Sequence, residues 1–205
     1  MINNPKNEGK GVLRQARGTD VTTKILRAAL AIGKEIGFDA LTVERIIERT
    51  GVAKTTIYRR WANVSAIVMD AFLVEVTRVA PIQECTTVRE SFTASMKLLA
   101  NAYRGEQGEI LRSLLGRAQQ DPKLLEAVKT RWVEPRRQIA RQIVQQGIRT
   151  GELRPGIDVD VVLDLLYGPL YHVLLVPYEK ATISDAYIDA VIDTVFRGLT
   201  RQQDG

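Results

Sequence analysis

The chain is poor in the residues on which most metal and nucleophilic chemistry depends. Its 205 residues include one cysteine, Cys85, and one histidine, His172. A single cysteine excludes an internal disulfide and a paired-cysteine site, and it suits a reducing compartment. A lone histidine lacks the partners that a zinc site or a catalytic triad needs, so we interpret His172 as a packed residue or as a polar pocket lining. We therefore predict no catalytic residue, no metal site and no cofactor.

Long apolar runs are absent as well. No apolar stretch follows the first residues, as a secretion signal would require. The most apolar segment, residues 159–176, is interrupted by two aspartates, a histidine and a Gly-Pro pair. It falls short of the roughly 20 apolar residues that a membrane span needs. We expect a cytoplasmic protein with no membrane partner.

Positive charge is in modest excess and is concentrated at one end. The net charge is +5, and residues 1–61 hold 12 Lys and Arg against 6 Asp and Glu, whereas the rest hold 17 against 18. The amino-terminal part thus carries the whole excess, as a surface that meets phosphates would. A basic tail that serves only solubility is the alternative interpretation.

Two short helices joined by a glycine turn are predicted around Gly51. The first has Thr42 as its N-cap and an apolar face of Val43, Ile46, Ile47 and Thr50. Gly51 stands where a helix must end and where a left-handed backbone carries little strain. The second helix restarts near Lys54. Its inner face holds Ala53, Ile57 and Trp61.

The outer face of the second helix is polar and cationic. It carries Lys54, Thr55, Thr56, Tyr58 and Arg59. This face offers hydrogen-bond donors, cations and a phenol, but no carboxylate. Two helices joined at a sharp angle by a short Gly-containing turn form a helix-turn-helix, whose second helix enters the major groove of DNA. The pattern therefore predicts a DNA-binding head.

No strand-like alternation of useful length follows, so we predict an all-α protein of about nine helices. We divide it into a disordered basic N-terminal arm (1–19), a helix-turn-helix DNA-binding domain (20–65) and a helical ligand-binding and dimerisation domain (66–205). A first helix over about residues 21–37 covers the two short helices. A fourth helix, capped by Asn63, leaves the head and enters the body.

Two helices of the body shape our expectations there. In a long helix from Pro122, with a kink at Pro135, the apolar face is predicted to be Leu125, Val128, Trp132, Ile139, Ile143 and Ile148. Its arginines, Arg136, Arg137, Arg141 and Arg149, are interpreted as a solvated face, with binding of an anionic effector as the less favoured alternative. The helix over 159–176 is apolar nearly all round, so it needs cover on more than one side. An interface between two copies would supply that cover.

The segment ILRAALAIGKEIGFDALTVERIIERTGVAKTTIYRRWANVSAIV resembles the N-terminal signature of TetR/AcrR-family transcriptional regulators. The matching residues are Ala29, Gly37, Phe38, Thr42, Ile46, Gly51, Val52, Ile57, Tyr58 and Trp61. The segments GELRPGIDVDVVLDLLYGPLYHVLLV and IDAVIDTVFRGL resemble one of the family's common C-terminal domain types. The resemblance implies an all-α homodimer with a DNA-binding head, an effector-binding body, and repression that ends when a small molecule binds.

By position in the motif, the resemblance assigns DNA contacts to Thr42, Arg45, Lys54, Thr55, Thr56, Tyr58, Arg59, Arg60 and Asn63. Lys54 and the threonines can reach base edges, while Tyr58 and the arginines suit phosphate oxygens. The chain departs from the family at Val64, where a lysine that pairs with a phosphate is usual. Either Arg59 and Arg60 compensate for this missing contact, or the affinity for DNA is lower than is usual.

Two further sets of residues are assigned to the body. A mostly hydrophobic effector pocket is predicted from Phe92, Met96, Tyr103, Leu115, Trp132, Tyr167, Tyr171 and His172, although core packing would explain each of them singly. The dimer interface is predicted from Leu166, Leu170, Leu174, Ile188, Val191, Ile192, Val195, Phe196 and Leu199.

The leading hypothesis is a homodimeric repressor that binds an inverted repeat in double-stranded DNA and is released by a small, largely hydrophobic effector. An enzyme with a DNA-binding head is disfavoured, because the body has no Gly-rich phosphate loop, no metal cluster and no nucleophile beside a base. A ligand-independent regulator or adaptor, whose body binds another protein, would have a body without a cavity.

Overall fold

The computed structural model describes residues 8–176 and 182–199, and within these ranges it contains helices and no strand. The helices are α1 (Glu8–Ile36), α2 (Val43–Thr50), α3 (Lys54–Tyr58), α4 (Val64–Val79), α5 (Val88–Arg104), α6 (Glu106–Ala118), α7 (Pro122–Val128), α8 (Glu134–Thr150), α9 (Val159–Leu175) and α10 (Asp185–Leu199). A 3₁₀ turn spans Phe38–Ala40, and a π-helical turn, Lys129–Val133, joins α7 to α8 without a break. The described chain thus has nine continuous helices, which confirms the all-α prediction. None of them is long and apolar enough to cross a membrane.

The chain divides into two compact units between Ala71 and Phe72, inside α4. We call the first unit the head and the second the body. The head contains α1 to α3 and the first half of α4. Its centre is formed by Ile25, Ile46 and Ile57, which have no solvent exposure.

The first helix begins earlier than the sequence predicts. Residues 8–19, which we expected to belong to a disordered arm, continue α1 in the structure. Extending an existing helix adds one hydrogen bond per residue without a new nucleation step, so the polar composition of this segment does not prevent it. Residues 1–7 lie outside the described residues.

Caps and turns in the head agree with the sequence. The Thr42 hydroxyl oxygen accepts a hydrogen bond from the Arg45 amide at 3.3 Å. Gly51 ends α2 in the left-handed conformation, with φ of 65°. The Asn63 side chain accepts a hydrogen bond from the Ala66 amide at 2.9 Å, as expected of a cap on α4. These three residues fix where α2 and α4 begin and where α2 ends.

In the body, α5 packs against α10, and both of these helices pack against α9. Phe92 of α5 lies 6.4 Å from Phe196 of α10 between ring centroids. Three ion pairs follow the outer edge of the α5–α10 contact: Arg89 with Asp193, Lys97 with Asp189 and Arg104 with Asp185. The buried rings hold the two helices together, while the exposed pairs contribute little to stability.

The π-helical turn shifts the buried face of the helix that follows it. Ile139, predicted to face inward, is 39% exposed, whereas Ala140 and Val144 are fully buried. Leu125, also predicted to face inward, is 46% exposed but lies before the turn, which does not account for it. A π turn holds more residues per turn than an α-helix, so every later side chain is displaced around the axis. The predicted apolar face of this helix is therefore wrong beyond Trp132. The turn directly precedes Pro135, where the sequence predicts a kink.

Most of the residues predicted for the dimer interface lie inside the single chain. Seven of the nine are buried: Leu166, Leu170, Leu174, Ile188, Ile192, Phe196 and Leu199. Val191 and Val195 are partly exposed. The buried seven have a role within the chain, because α9 and α10 pack on each other and on α5. The large apolar residues that α9 does expose are Val161, Leu165 and Leu175, and the exposed Val176 follows its last residue.

Candidate DNA-binding surface and effector site

The short helix α3 is anchored on one side and open on the other. Ile57 is fully buried and Trp61, just beyond the helix, is 5% exposed. The Trp61 indole nitrogen also donates a hydrogen bond to an Asp70 carboxylate oxygen at 2.7 Å. On the opposite side, Lys54, Thr55, Tyr58 and Arg59, which the sequence predicts as DNA contacts, are exposed, while the predicted contacts Thr56 and Arg60 are partly buried. The structure thus presents most of the assigned face of α3 to solvent.

The polar groups of this face have weak internal partners. The Lys54 ammonium lies 5.7 Å from the centroid of the Tyr58 ring. It also lies 3.5 Å from a Glu44 carboxylate oxygen, with both side chains more than half exposed. An exposed pair of this kind is worth at most about 1 kcal/mol. A phosphate or a base edge can therefore take the place of Glu44 at little cost.

The remaining assigned residues lie beside α3. Thr42 and Arg45 are exposed at the start of α2, and Asn63 is exposed at the start of α4. The Arg60 guanidinium donates to the Thr56 carbonyl at 3.2 Å, so it is partly occupied within its own helix. Val64 is the first residue of α4 and is partly exposed.

Another cation of α2 is already neutralised. The Arg49 guanidinium donates two hydrogen bonds to the Glu35 carboxylate, at 3.0 and 2.6 Å. The hydrogen bond from Arg49 is the main reason why the pKa of Glu35 is lowered, and the same bond raises the pKa of Arg49. Arg49 is therefore less available to a phosphate than Lys54 or Arg59.

The body contains a small cavity of about 50 Å³ among α5, α8 and α9. Its lining residues are Leu99, Trp132, Val133, Arg136, Arg137, Tyr167 and Tyr171. Three of the eight predicted pocket residues, Trp132, Tyr167 and Tyr171, are among them. Tyr103 adjoins the cavity, with its ring centroid 6.1 Å from that of Tyr171.

The other predicted pocket residues have different positions. Phe92 and Met96 are buried in the core, where Phe92 contacts the Tyr167 ring at 6.4 Å between centroids. Leu115 is partly buried and does not line this cavity. His172 is exposed on α9 and does not line it either. A lone histidine in an apolar helix gives no indication of which side of the helix it occupies.

Four buried polar atoms in or beside the cavity make no hydrogen bond of normal geometry, although the Tyr103 hydroxyl is close enough to Tyr171 and Trp132 to interact with both. They are the hydroxyl oxygens of Tyr103 and Tyr167, the indole nitrogen of Trp132 and one terminal nitrogen, Nη2, of Arg136. Burial raises the pKa of Tyr103 well above its usual value, and it raises that of Tyr167 to about 12 although the Arg136 charge opposes the shift. Both phenols are therefore neutral hydrogen-bond donors at physiological pH. Such unpaired buried groups are rare in proteins, and each calls for an explanation.

Arg136 differs from the neighbouring arginines. Its guanidinium lies 4.7 Å from the centroid of the Trp132 ring, and its second terminal nitrogen, Nη1, donates to the Ala80 carbonyl at 2.8 Å. Arg137, in contrast, is paired with Asp160 and Asp164. The prediction of a solvated arginine face is therefore wrong for Arg136. It lies on the inner side of the helix because the π-helical turn displaces it there.

Arg141 and Arg149 occupy the outer side of the same helix, as predicted. Arg141 is paired with Glu134 and with Asp160. Arg149 is exposed and hydrogen-bonds to Gln146. Within the described residues, no group of three or more acidic, histidine or cysteine side chains could hold a metal ion.

Comparison with known proteins agrees with these features. A model of bacterial regulatory proteins of the tetR family matches residues 25–68, and a tetracyclin repressor-like C-terminal domain matches residues 83–195. The uncharacterized HTH-type transcriptional regulator YdeS of Bacillus subtilis is 36% identical over 175 residues, which are 85% of this chain and 87% of that protein. The crystal structure of the TetR-family transcription regulator SCO0332 has a TM-score of 0.73 at 30% identity, covering 89% of this chain and 100% of that one.

A further structure, FadR from Bacillus subtilis in complex with stearoyl-CoA, has a TM-score of 0.67 at 20% identity and covers 86% of this chain and 98% of that one. At this identity the likeness concerns the fold alone. The family and the relatives found are transcriptional regulators and not enzymes, as the sequence predicts. The helix-turn-helix head and the helical body together show that the chain belongs to the TetR family of DNA-binding transcriptional regulators.

Proposed function

We propose that the protein is a homodimeric repressor that binds an inverted-repeat operator and dissociates from it when a small, largely hydrophobic effector binds the body. The observation that carries this proposal is the exposed face of α3, in which cations and donors stand on a helix held from behind by Ile57 and Trp61. Precise contact with base edges requires a helix that is held rigidly by packing, as these two buried side chains hold α3.

In the proposed complex, each copy inserts α3 into one major groove. Lys54 and Thr55 then contact bases, while Tyr58 and Arg59 contact phosphates. Two half-sites on one side of the duplex would lie about 34–36 Å apart, or a multiple of that distance. Because such an operator lies on the chromosome, we expect the protein to act in the cytoplasm.

The exposed apolar residues of α9 are the basis for proposing a dimer. Val161 and Leu165 are 52% and 54% exposed and lie one helical turn apart, so they form a contiguous apolar surface, which is more informative than a single exposed side chain. Together with Val195 and Gly198 of α10 they line an apolar groove of about 380 Å³. We propose that the same face of a second copy covers this groove, as expected for a two-fold symmetric dimer.

Release by an effector requires that the ligand favour a dimer whose heads no longer fit successive grooves. The helix α4 runs without a break through the boundary between the two units, so it is the natural connection. Operator DNA must then weaken effector binding by the same factor by which the effector weakens DNA binding. The FadR complex with stearoyl-CoA shows that another protein of this fold binds a small molecule.

A ligand-independent regulator, whose body binds a protein partner, is the alternative. The observation that favours it is the size of the cavity, about 50 Å³. Small-molecule sites usually measure about 300–1,000 Å³. The four unpaired polar atoms around the cavity favour the ligand-responsive function instead, because a body that binds no ligand gains nothing from burying them.

The test measures binding of the purified protein to the DNA directly upstream of its own reading frame. Fluorescence anisotropy gives the affinity, and footprinting gives the protected bases. We expect two protected half-sites. Lys54→Ala and Tyr58→Ala should each weaken specific binding about tenfold to hundredfold, because each removes a direct contact. Lys123→Ala, which removes an exposed cation from the body, serves as the matched control and should bind like the wild type.

Circular dichroism of each variant must show unchanged helix content and unchanged thermal unfolding. Wild-type affinity in both head variants would contradict the assignment of α3 as the reading helix. Weak binding that is equal on all DNA sequences would not affect the conclusion about the fold, but it would show that the DNA upstream of the reading frame is not the operator.

A further inference from the structure

Three of the four unpaired polar atoms belong to residues that line one cavity, and all four can donate a hydrogen bond. Tyr167, Trp132 and Arg136 line the cavity, and the Tyr103 ring packs against Tyr171 of the lining. We infer that the effector carries a carboxylate, which the Arg136 guanidinium and the neighbouring phenols bind inside an aromatic site. This inference rests on the proposed function, since it names the chemistry of the proposed effector.

The charge of Arg136 is the reason for choosing an anion over a neutral acceptor. An arginine side chain stays protonated in proteins, so burial cannot neutralise it as it can a lysine. Among the residues that the structure describes, Arg136 has no carboxylate partner, and its contacts are the Ala80 carbonyl and the Trp132 ring. The side chain is partly buried and its Nη2 atom is shielded from water, and a charge in such surroundings is costly without a counter-ion. A carboxylate supplies that counter-ion, and its two oxygens accept from guanidinium and phenol donors together.

The surrounding donors fit the same ligand group. Trp132 donates through its indole nitrogen and cannot accept a hydrogen bond. Both buried phenols keep their protons at neutral pH and can therefore donate to a carboxylate. A cationic ligand would meet the guanidinium charge, and a purely apolar ligand would leave all four atoms unpaired.

Arg137 lines the same cavity but does not serve this role. Its guanidinium is held at 2.7 Å by Asp160 and is also bonded to Asp164, which neutralise it. Asp160 in addition accepts from Arg141 at 2.9 Å. The structure thus separates a neutralised arginine network on the outer side of α8 from the single unneutralised arginine on the inner side.

The aromatic walls indicate what accompanies the carboxylate. Trp132, Tyr167 and Tyr171 surround the guanidinium, and Leu99 and Val133 complete the lining. A cavity of about 50 Å³ accepts little more than a carboxyl group, since one water occupies about 30 Å³. The remainder of the ligand must therefore displace side chains or helices. A π-helical turn inside the wall is a place where a helix can adjust, and such turns are frequent at functional sites.

The cavity residues also contact α4 directly. The ring of Phe72 on α4 meets the Trp132 ring edge-on, with centroids 5.0 Å apart. The Ala80 carbonyl that accepts from Arg136 belongs to the residue directly after α4. A carboxylate that draws the guanidinium toward itself would weaken this hydrogen bond at the end of α4. Ligand binding and the position of α4 are thus coupled through two named contacts.

The test uses the full-length protein and two pairs of probes, benzoate with benzyl alcohol and octanoate with 1-octanol. Binding is measured by isothermal titration calorimetry, and release of the operator by anisotropy. We expect at least one acid to bind about tenfold or more tightly than its alcohol. Arg136→Gln should remove this preference, Tyr167→Phe should reduce it, and Arg141→Gln, which removes one charge from the outer side of the same helix, should leave it unchanged.

The inference is overturned if an alcohol binds as tightly as its acid, if neither acid binds at millimolar concentration, or if Arg136→Gln retains the preference for the acid. If the protein binds its operator and the acids neither bind nor change that binding, the inference is contradicted, but the DNA-binding part of the proposed function stands. If the protein binds an acid in a manner that depends on Arg136 but binds no operator, the inference about the ligand stands and the DNA-binding part of the proposed function is contradicted.

A ligand-free measurement separates a binding role from a structural one. If Arg136 serves a ligand, replacing it by an apolar residue removes an uncompensated buried charge. Arg136→Met should then unfold at the wild-type temperature or about 2–4 °C higher. If hydrogen bonds and ordered water fully satisfy the guanidinium, the same change breaks them. A fall of more than about 4 °C would show that the arginine maintains the fold and would overturn the inference.

Discussion

The head and the body distribute their polar and apolar side chains differently. In the head, the large apolar residues Ile46, Ile57 and Trp61 are buried, and the cations of α2 and α3 are exposed. Two groups of residues in the body depart from this distribution and bear on the proposals. Val161 and Leu165 are apolar and exposed on α9, whereas Tyr103, Trp132, Arg136 and Tyr167 place unpaired polar atoms inside.

The difference indicates what each region needs for its proposed role. A surface that binds DNA can be folded and solvated at the same time, because cations are well hydrated before phosphates replace the water. An interface and a ligand site of the kind proposed here bear a cost in the isolated chain, since exposed apolar area and buried unpaired donors are both unfavourable. We propose that a second copy relieves the first of these costs and that an effector relieves the second.

The largest expected effect comes from placing a charge in the apolar groove that Val161 and Leu165 line. Leu165→Asp should dissociate the dimer, because two buried carboxylates without counter-ions would face each other across the two-fold axis, and we expect operator affinity to fall about hundredfold or more. Sedimentation velocity and anisotropy measure the two effects. Leu125→Asp is the matched control, since Leu125 is 46% exposed on α7 and does not line the apolar groove. A dimeric Leu165→Asp variant would show that another surface joins the copies.

The buried phenols predict an intermediate effect at alkaline pH. Burial raises the pKa of Tyr103 and Tyr167, the latter to about 12, so the unfolded chain loses these protons first as the pH rises. The contribution of both groups to the free energy of unfolding is complete below the unfolded pKa of about 10, and that of Tyr167 is lost between about pH 10 and 12. For Tyr167 this loss amounts to about 3 kcal/mol.

Chemical denaturation between pH 9 and roughly 12, with tyrosinate absorbance as a second signal, measures this loss. Tyr167→Phe should flatten the stability curve in this range. Tyr58→Phe, in which an exposed phenol is removed, should leave the curve unchanged. A wild-type curve without a decline in this range would show that the phenols are accessible to water.

The smallest expected effect is on DNA affinity, and it comes from a substitution in the head. Val64→Lys should raise affinity several-fold on any DNA sequence and should steepen the dependence of log K on log salt by about 0.9 per new phosphate contact. Val74→Lys is the control, because Val74 is 58% exposed on the same helix but belongs to the body. An unchanged salt slope in Val64→Lys would mean that position 64 does not meet a phosphate.

The structure of the head could be predicted from the sequence because its signals are local. Thr42, Gly51 and Asn63 act within a few residues of themselves, and the inward face of α3 follows from Ile57 and Trp61 alone. The family match then confirms what the motif indicates. The start of α1 differs, because helix extension does not depend on an apolar pattern. Ala53 differs too: it was predicted on the inner face, but it is exposed because it caps α3 in a non-helical conformation.

The body was less predictable because its faces depend on long-range packing. Periodicity identified α9 and α10 as apolar helices, but it could not assign Leu166 to the core and Leu165 to the surface. That choice depends on where α5 lies. Arg136 was missed for a related reason, since a regular α-helix from Val128 onward would place Ile139 and Ile143 inside and the arginine outside. A cation four residues after a tryptophan, as in Trp132 and Arg136, is the one local sign of a buried pair.

The π-helical turn has a consequence for how this protein compares with relatives of different length. Its effect on the wall of the cavity equals that of a single inserted residue, so a relative with one residue fewer between Val128 and Ala140 would have a regular helix here. In such a relative, the isoleucines would line the wall and the arginine would join the outer ion pairs. We therefore expect a one-residue gap in an alignment to separate regulators of acidic ligands from regulators of neutral ones, even where every other lining residue is identical.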